Sequence, residues 1–181
     1  GLAVIRPPGH HAGREMAMGF CLLNHVAVAA AAALAEFPRC QRVLIVDWDI
    51  HHSNGTNEIF SHREDVFVVS VHRYDNGWYY PGTGSVEEDT DNIVNVPLLT
   101  NNDELTPAYT TADFVQIFES VVLPVCQQLQ PDLVLVSAGF DAAVGDPIGE
   151  GLRSTECRSR GIWNSHQYAE ALAFLGSRDR R

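Results

Sequence analysis

The chain contains no lysine; all 12 of its basic residues are arginine. Schiff-base chemistry and a P-loop lysine are therefore excluded within its 181 residues. Cysteine is sparse too. Cys21, Cys40, Cys126 and Cys157 are scattered, with no C-x-x-C pair, which argues against a disulfide framework or a thiolate zinc site and favours a reducing compartment. No apolar run approaches the roughly 18 residues of a membrane span, and no signal-peptide pattern opens the chain, so no membrane partner is expected. Positive charge is scarce as well. A net charge of −11 argues against a direct nucleic-acid footprint. An acidic surface can attract cationic peptides, although most net charge serves solubility.

What remains is a chain with 45% hydrophobic residues, enough for one domain with a real core. Charge is unevenly spread: residues 1–152 hold 6 Arg against 20 acids, and residues 153–181 hold 6 Arg against 3. The composition changes near Arg153. The chain starts at Gly1, not Met, and reads as a fragment.

Short aliphatic runs read as buried strands at Leu2-Ala3-Val4-Ile5, 43–46, 66–71 and 133–136, with a weaker one at 93–96. Between them, Asn24 is placed to cap an Ala-rich helix over 25–37, which Pro38 stops. Ser53-Asn54-Gly55-Thr56 reads as a loop before a short helix around 57–60. Residues 111–129 carry apolar residues near helical spacing, and Pro124 should kink that helix. Strands alternating with helices predict an α/β fold with a mainly parallel sheet.

The chemistry gathers after the strands. Val43-Leu44-Ile45-Val46 runs into Asp47-Trp48-Asp49-Ile50-His51-His52. If the chain stays extended, Asp47, Asp49 and His51 share one side. Asp49 and His51 then offer neighbouring O and N donors suited to a borderline metal such as Zn²⁺. The plainer reading is that these residues only begin a turn. In an open parallel sheet, ligands bind outside the carboxyl ends of the strands. His10-His11 follows the first run, Asp49 and His51 the second, and Asp141 the last. One His and two carboxylates form a three-ligand set with room left for water and substrate. His10 and His11 lack the spacing of a helical metal pair and fit acid/base roles, or are ordinary loop residues.

Several ordered motifs then carry a resemblance. Arg6-Pro7-Pro8-Gly9-His10-His11, Gly19-Phe20-Cys21, Asp47-Trp48-Asp49-Ile50-His51-His52, His72-Arg73-Tyr74, Pro81-Gly82-Thr83-Gly84 and Ser137-Ala138-Gly139-Phe140-Asp141 resemble the zinc-dependent histone deacetylases, class II in particular. The resemblance spans residues 1–157 and implies a partial catalytic domain, followed by a divergent Arg-rich tail at 158–181. It implies a three-layer arginase/deacetylase-type fold, a parallel sheet flanked by helices, incomplete here. It implies one catalytic zinc held by Asp49, His51 and Asp141. His10 and His11 would handle protons, with Asp47 orienting His10 and Asn54 partnering His11. Phe20 and Tyr80 would wall an acyl-lysine channel, and the Gly19 carbonyl would accept from the substrate amide. Asp47, Asp49, His51, Ser70 and Val71 would supply oxygens for a structural monovalent cation, typically K⁺. The implied substrates are acetyl-lysine on histone tails or cytoplasmic proteins, with co-repressor partners, chromatin and transcriptional repression as the setting and the nucleus or cytoplasm as the compartment.

The sequence also departs from the family pattern. The oxyanion donor, a Tyr or His in a Gly-Gly motif, has no counterpart after Cys157, where the chain reads Arg158-Ser159-Arg160-Gly161-Ile162-Trp163. The N-terminal loop with an acidic substrate clamp is missing as well. Ser53 stands where Gly is usual, which predicts a strained turn. Tyr80 stands where Phe is usual, so its hydroxyl needs solvent or a partner. Two other readings therefore stand beside a working deacetylase: an impaired acyl-lysine or partner-binding module, and an amidohydrolase acting on acetylpolyamines or another small amide.

Overall fold

The computed structural model describes residues 1–100, 109–143 and 146–148. The chain divides into two compact units. One comprises Gly1–Leu99 with Pro131–Ala138, the other Thr100–Gln130 with Gly139–Arg181. The tail expected over 158–181, and the stretch after Cys157 that lacks a Gly-Gly motif, lie outside the described residues.

The first unit is built on a four-stranded parallel sheet. Its strands are β1 (Val43–Asp47), β2 (Val66–Arg73), β3 (Ile93–Leu98) and β4 (Leu133–Ser137), in the order β3-β2-β1-β4. All three pairings are parallel. Strands covered on both faces read as unbroken aliphatic runs, and every residue of β1 is buried. The register sets Asp47 level with Ser70 of β2 and with Ser137 of β4. The segments that follow these strands therefore leave from the same edge of the sheet.

Helices α1 (His25–Glu36) and α2 (Asn54–Phe60) flank the sheet. Ala27 and Ala30 of α1 and Phe60 of α2 pack with Val43, Ile45, Val66, Val68 and Ile93 in one core. Alanine is a strong helix former, and its small side chain lets α1 approach the sheet closely. Asn24 caps α1, its Oδ1 accepting from the Ala27 N–H at 3.1 Å. Its Nδ2 donates to the Ala12 carbonyl and to Thr56 Oγ1, both at 3.1 Å. One side chain thus ties the start of α1 to α2 and to the segment after His11.

The second unit contains α3 (Thr111–Ile117), a π-helical segment (Phe118–Val122) and α4 (Leu123–Leu129). Thr110 and Asp113 form a reciprocal capping box at the start of α3. Among the described residues, no helix is long and apolar enough to cross a membrane.

Four local expectations change. Residues 2–5 form no strand; Leu2 and Val4 are about nine-tenths exposed, and an aliphatic run without a neighbouring strand has no ladder to join. Residues 54–56 belong to α2 rather than to a loop. The strand ends at Asp47 instead of extending to His51. Pro124 falls at the start of α4, directly after the π-helical segment. Widening the turn there accommodates a residue that offers no N–H and would crowd the preceding turn.

Ile45 is fully buried in this core. Ile45→Ala should lower the unfolding free energy by about 2–5 kcal/mol, read from the shift in denaturant midpoint.

Candidate active site

The site begins where β1 stops. Asp47 is fully buried. Its Oδ1 accepts from the Asp49 N–H at 3.1 Å, and Asp49 Oδ1 accepts from the His51 N–H at 2.8 Å. Each carboxylate thus holds the backbone two residues on, the habit of Asp in turns. These bonds bend the chain where strict alternation would have kept it extended. The other Asp47 oxygen, Oδ2, lies 3.1 Å from His10 Nδ1.

His10 and His11 sit in irregular chain that borrows its hydrogen bonds from neighbours. The Thr56 N–H donates to the His10 carbonyl at 3.1 Å, and the Ala12 N–H to the Gly9 carbonyl at 3.1 Å. The His11 N–H donates to Cys21 Sγ at 3.4 Å. Gly55 makes room for this segment, because a Cβ there would lie 2.4 Å from the Ala12 carbonyl oxygen. The two imidazoles are 4.0 Å apart between ring centres, and both are buried.

Their partners differ in charge. His10 faces the Asp47 carboxylate, while His11 Nδ1 lies 2.7 Å from the amide oxygen of Asn54. In both contacts the oxygen accepts, so Nδ1 carries the proton and Nε2 is the basic nitrogen of the neutral ring. Burial, followed by the adjacent His10, lowers the His11 pKa to about 4. His11 is therefore neutral at physiological pH.

Asp49 and His51 both lie in the first unit and each offers a ligand atom; Asp141 belongs to the second unit. Asp49 Oδ1 and His51 Nδ1 are 3.0 Å apart. Asp47 and Asp49 both face imidazoles and backbone N–H groups, and carboxylates out of water call for a compensating cation. A carboxylate and an imidazole side by side are oxygen and nitrogen donors of the kind zinc takes. The donor set therefore fits that metal.

Gly19 and Phe20 both have left-handed backbone, with φ of 55° and 66°. A Cβ at Gly19 would also meet the His11 ring at 2.3 Å, so position 19 requires glycine on two counts. Phe20 is 79% exposed and Tyr80 44%, so the Tyr80 side chain has access to solvent. The Tyr80 ring stands edge-on to His11 and His51, at 5.2 and 6.1 Å. Ser70 is buried opposite Asp47, with Val71 next to it. Ser53 has φ −77°, outside the region that favours glycine, so the expected strain at that turn is absent.

Sequence reasoning assigned no site role to several residues that the fold brings here. Tyr79 stacks on His51 at 5.1 Å, and the Arg73 guanidinium lies over Tyr79. His52 and His72 form a buried pair, 4.6 Å between ring centres. His52 Nδ1 meets Thr83 Oγ1 at 2.8 Å and its Nε2 meets Asn57 Nδ2 at 2.7 Å. His72 Nδ1 meets Ser70 Oγ at 2.9 Å, and its Nε2 donates to the Gly84 carbonyl at 2.9 Å. Burial, then the neighbouring His72, lowers the His52 pKa to about 3; burial lowers that of His72 as well. The usable signal was polar: two histidines between aliphatic strands need partners, and Thr83 and Gly84 lie in the one tight Gly-rich turn nearby.

A sequence model of the histone deacetylase domain matches residues 1–172. The chain belongs to the histone deacetylase domain family. Within that family it is 48% identical over 154 residues to histone deacetylase 15 of Arabidopsis thaliana, covering 82% of this chain and 26% of that protein. It is 44% identical over 187 residues to human histone deacetylase 7 (Homo sapiens), covering 99% of this chain and 19% of that protein. The crystal structure of the HDA15 HD domain superposes with a TM-score of 0.73 at 47% identity, over 80% of this chain and 41% of that one. The chain spans about a quarter or less of the length of these curated relatives. The parallel sheet with flanking helices is the fold of this deacetylase family.

The two depressed histidines make stability sensitive to acid. Unfolded, both imidazoles take up protons as pH falls through 6.5; folded, they resist until about 4 for His11 and about 3 for His52. The unfolded chain binds more protons in that window, so stability is full above pH 6.5 and falls as pH drops below it. Urea midpoints measured without added metal should show this decline, and His52→Asn should make it shallower.

Proposed function

We propose that this chain carries the hydrolytic site of a zinc-dependent protein-lysine deacetylase acting on acetyl-lysine of histones or other proteins. The observation that carries the reading is the tandem imidazole pair, anchored by Asp47 and Asn54 beside the Asp49–His51 donors, in a chain of this family. Asp49, His51 and Asp141 would hold the zinc. Such an ion supplies Lewis acidity toward an amide carbonyl and toward water.

The chain's own residues account for the proton chemistry. His11, neutral and with Nδ1 engaged by Asn54, accepts a proton from water at Nε2 and returns it to the departing lysine amine. His10, held through its Nδ1 by the Asp47 carboxylate, is the second proton-handling imidazole, packed beside His11. The Gly19 carbonyl accepts from the substrate amide, and Phe20 and Tyr80 flank the acyl-lysine stem. A monovalent cation such as K⁺ would bind among Asp47, Asp49, His51, Ser70 and Val71, a set to which the level placement of Asp47 and Ser70 lends support. Nuclear or cytoplasmic residence and co-repressor partners belong to the same proposal.

A second reading is an acyl-lysine or partner-binding module with little turnover. Losing one oxyanion donor typically costs about 10²–10³ in rate. A site without such a donor would bind acyl-lysine and turn it over slowly.

Two measurements test these readings. Metal analysis should find one zinc per chain, reduced in Asp141→Ala; a chain that takes up no zinc contradicts the proposal. Turnover of an acetyl-lysine peptide should exceed that of Asp141→Ala, and equal rates would favour the binding module. Asn54→Leu should lower turnover at least tenfold while leaving zinc content unchanged, because it withdraws the partner of His11 without touching a ligand.

A further inference from the structure

One side chain in the first unit is too costly to be incidental. Arg73, the last residue of β2, is 6% exposed. A buried guanidinium must be compensated. Arg73 is ion-paired with Asp75, itself largely buried. Its Cζ also lies 4.3 Å from the centre of the Tyr79 ring, in cation–π geometry. The other face of this arrangement reaches the site, where Tyr79 is stacked on the His51 imidazole at 5.1 Å with only 15° between the planes.

The backbone is shaped to deliver that stack. The Arg73 N–H donates to the Ile50 carbonyl at 2.8 Å, tying the end of β2 to the residue before His51. Asp75 and Asn76 then take consecutive left-handed conformations, with φ of 49° and 57°. Such conformations are costly for non-glycine residues and persist where the surroundings enforce them. The turn closes with the Tyr79 N–H donating to the Tyr74 carbonyl at 3.3 Å. The outcome is a column running from the Asp75 carboxylate through guanidinium and phenol ring to imidazole.

We propose that Arg73 and Tyr79 are positioning residues for His51: the cation holds the phenol ring flat against the imidazole and so fixes the plane in which its nitrogen meets a metal ion. A histidine ligand has one free rotation about its Cβ–Cγ bond, and groups that lock the ring plane raise affinity. The stack restrains the face of the ring. The inference rests on the reading that Asp49, His51 and Asp141 hold zinc.

The test is the zinc affinity of the full 181-residue chain, from competition with a chromophoric chelator, together with the d–d absorption band of the Co²⁺-loaded protein. Arg73→Gln and Tyr79→Leu should each weaken zinc about tenfold or more and shift the cobalt band. Tyr79→Phe, which keeps the ring, should match the parent. Arg73→Gln added to Tyr79→Leu should weaken zinc no further, because the cation acts through the ring. If Arg73→Gln does not fold, the contrast between Tyr79→Leu and Tyr79→Phe decides. Unchanged zinc affinity and cobalt band in Tyr79→Leu, with only a lower unfolding midpoint, overturns this inference and leaves the proposed function standing. A parent chain that takes up no zinc overturns both.

Discussion

The contact on which the site depends is that between the Asp47 carboxylate and His10. Asp47 is the last residue of β1 and has no exposed surface. One oxygen turns the chain toward Asp49, and the other meets the imidazole. A carboxylate in such a place is unfavourable unless every lone pair has work. Its position is rigid because β1 lies between β2 and β4, with Asp47 level with Ser70 on one side and Ser137 on the other. The sheet therefore acts as a fixed base from which polar groups project, and the loops need only place the remaining partners.

Around that base the titratable groups are sorted by what they face. His10 has a carboxylate and His11 has an amide. Adjacent in sequence, the two imidazoles are held by partners of different charge on different elements, β1 and α2. His52 and His72 are sorted the other way. Burial lowers both pKa values, and their bonds to hydroxyl, amide and carbonyl groups make them structural supports for the turn at Thr83 and Gly84. Four histidines within one unit thus take different surroundings without any difference in residue type.

Much of the architecture was legible because it follows from local pattern. The aliphatic runs at 43–46, 66–71 and 133–136 are strands; the first two are covered on both faces and so do not alternate. Asn24 read as a cap and is one. The failures also have physical causes. Residues 2–5 look like a strand, but strands exist only in pairs, and sequence does not reveal whether a partner is present. Asn54-Gly55 reads as turn chemistry, yet α2 starts there because Gly55 must let the Ala12 carbonyl approach. At the site, Asp49, His51, His10 and His11 announce themselves by type and spacing. Tyr79 does not, because an aromatic residue in a Gly-rich turn looks alike whether it packs in a core or lies on an imidazole. Arg73 was invisible for a related reason: nothing in a sequence tells a buried guanidinium from a solvated one.

The way the His10 segment is suspended has a further consequence. Lacking a strand partner, it hangs from the Thr56 N–H and the Asn24 amide, both at helix beginnings. First turns fray more readily than sheet centres open. Loosening the start of α2 would release the imidazoles while leaving the pairings of the parallel sheet in place. Deuterium uptake at the Thr56 amide would follow the integrity of that suspension separately from global unfolding.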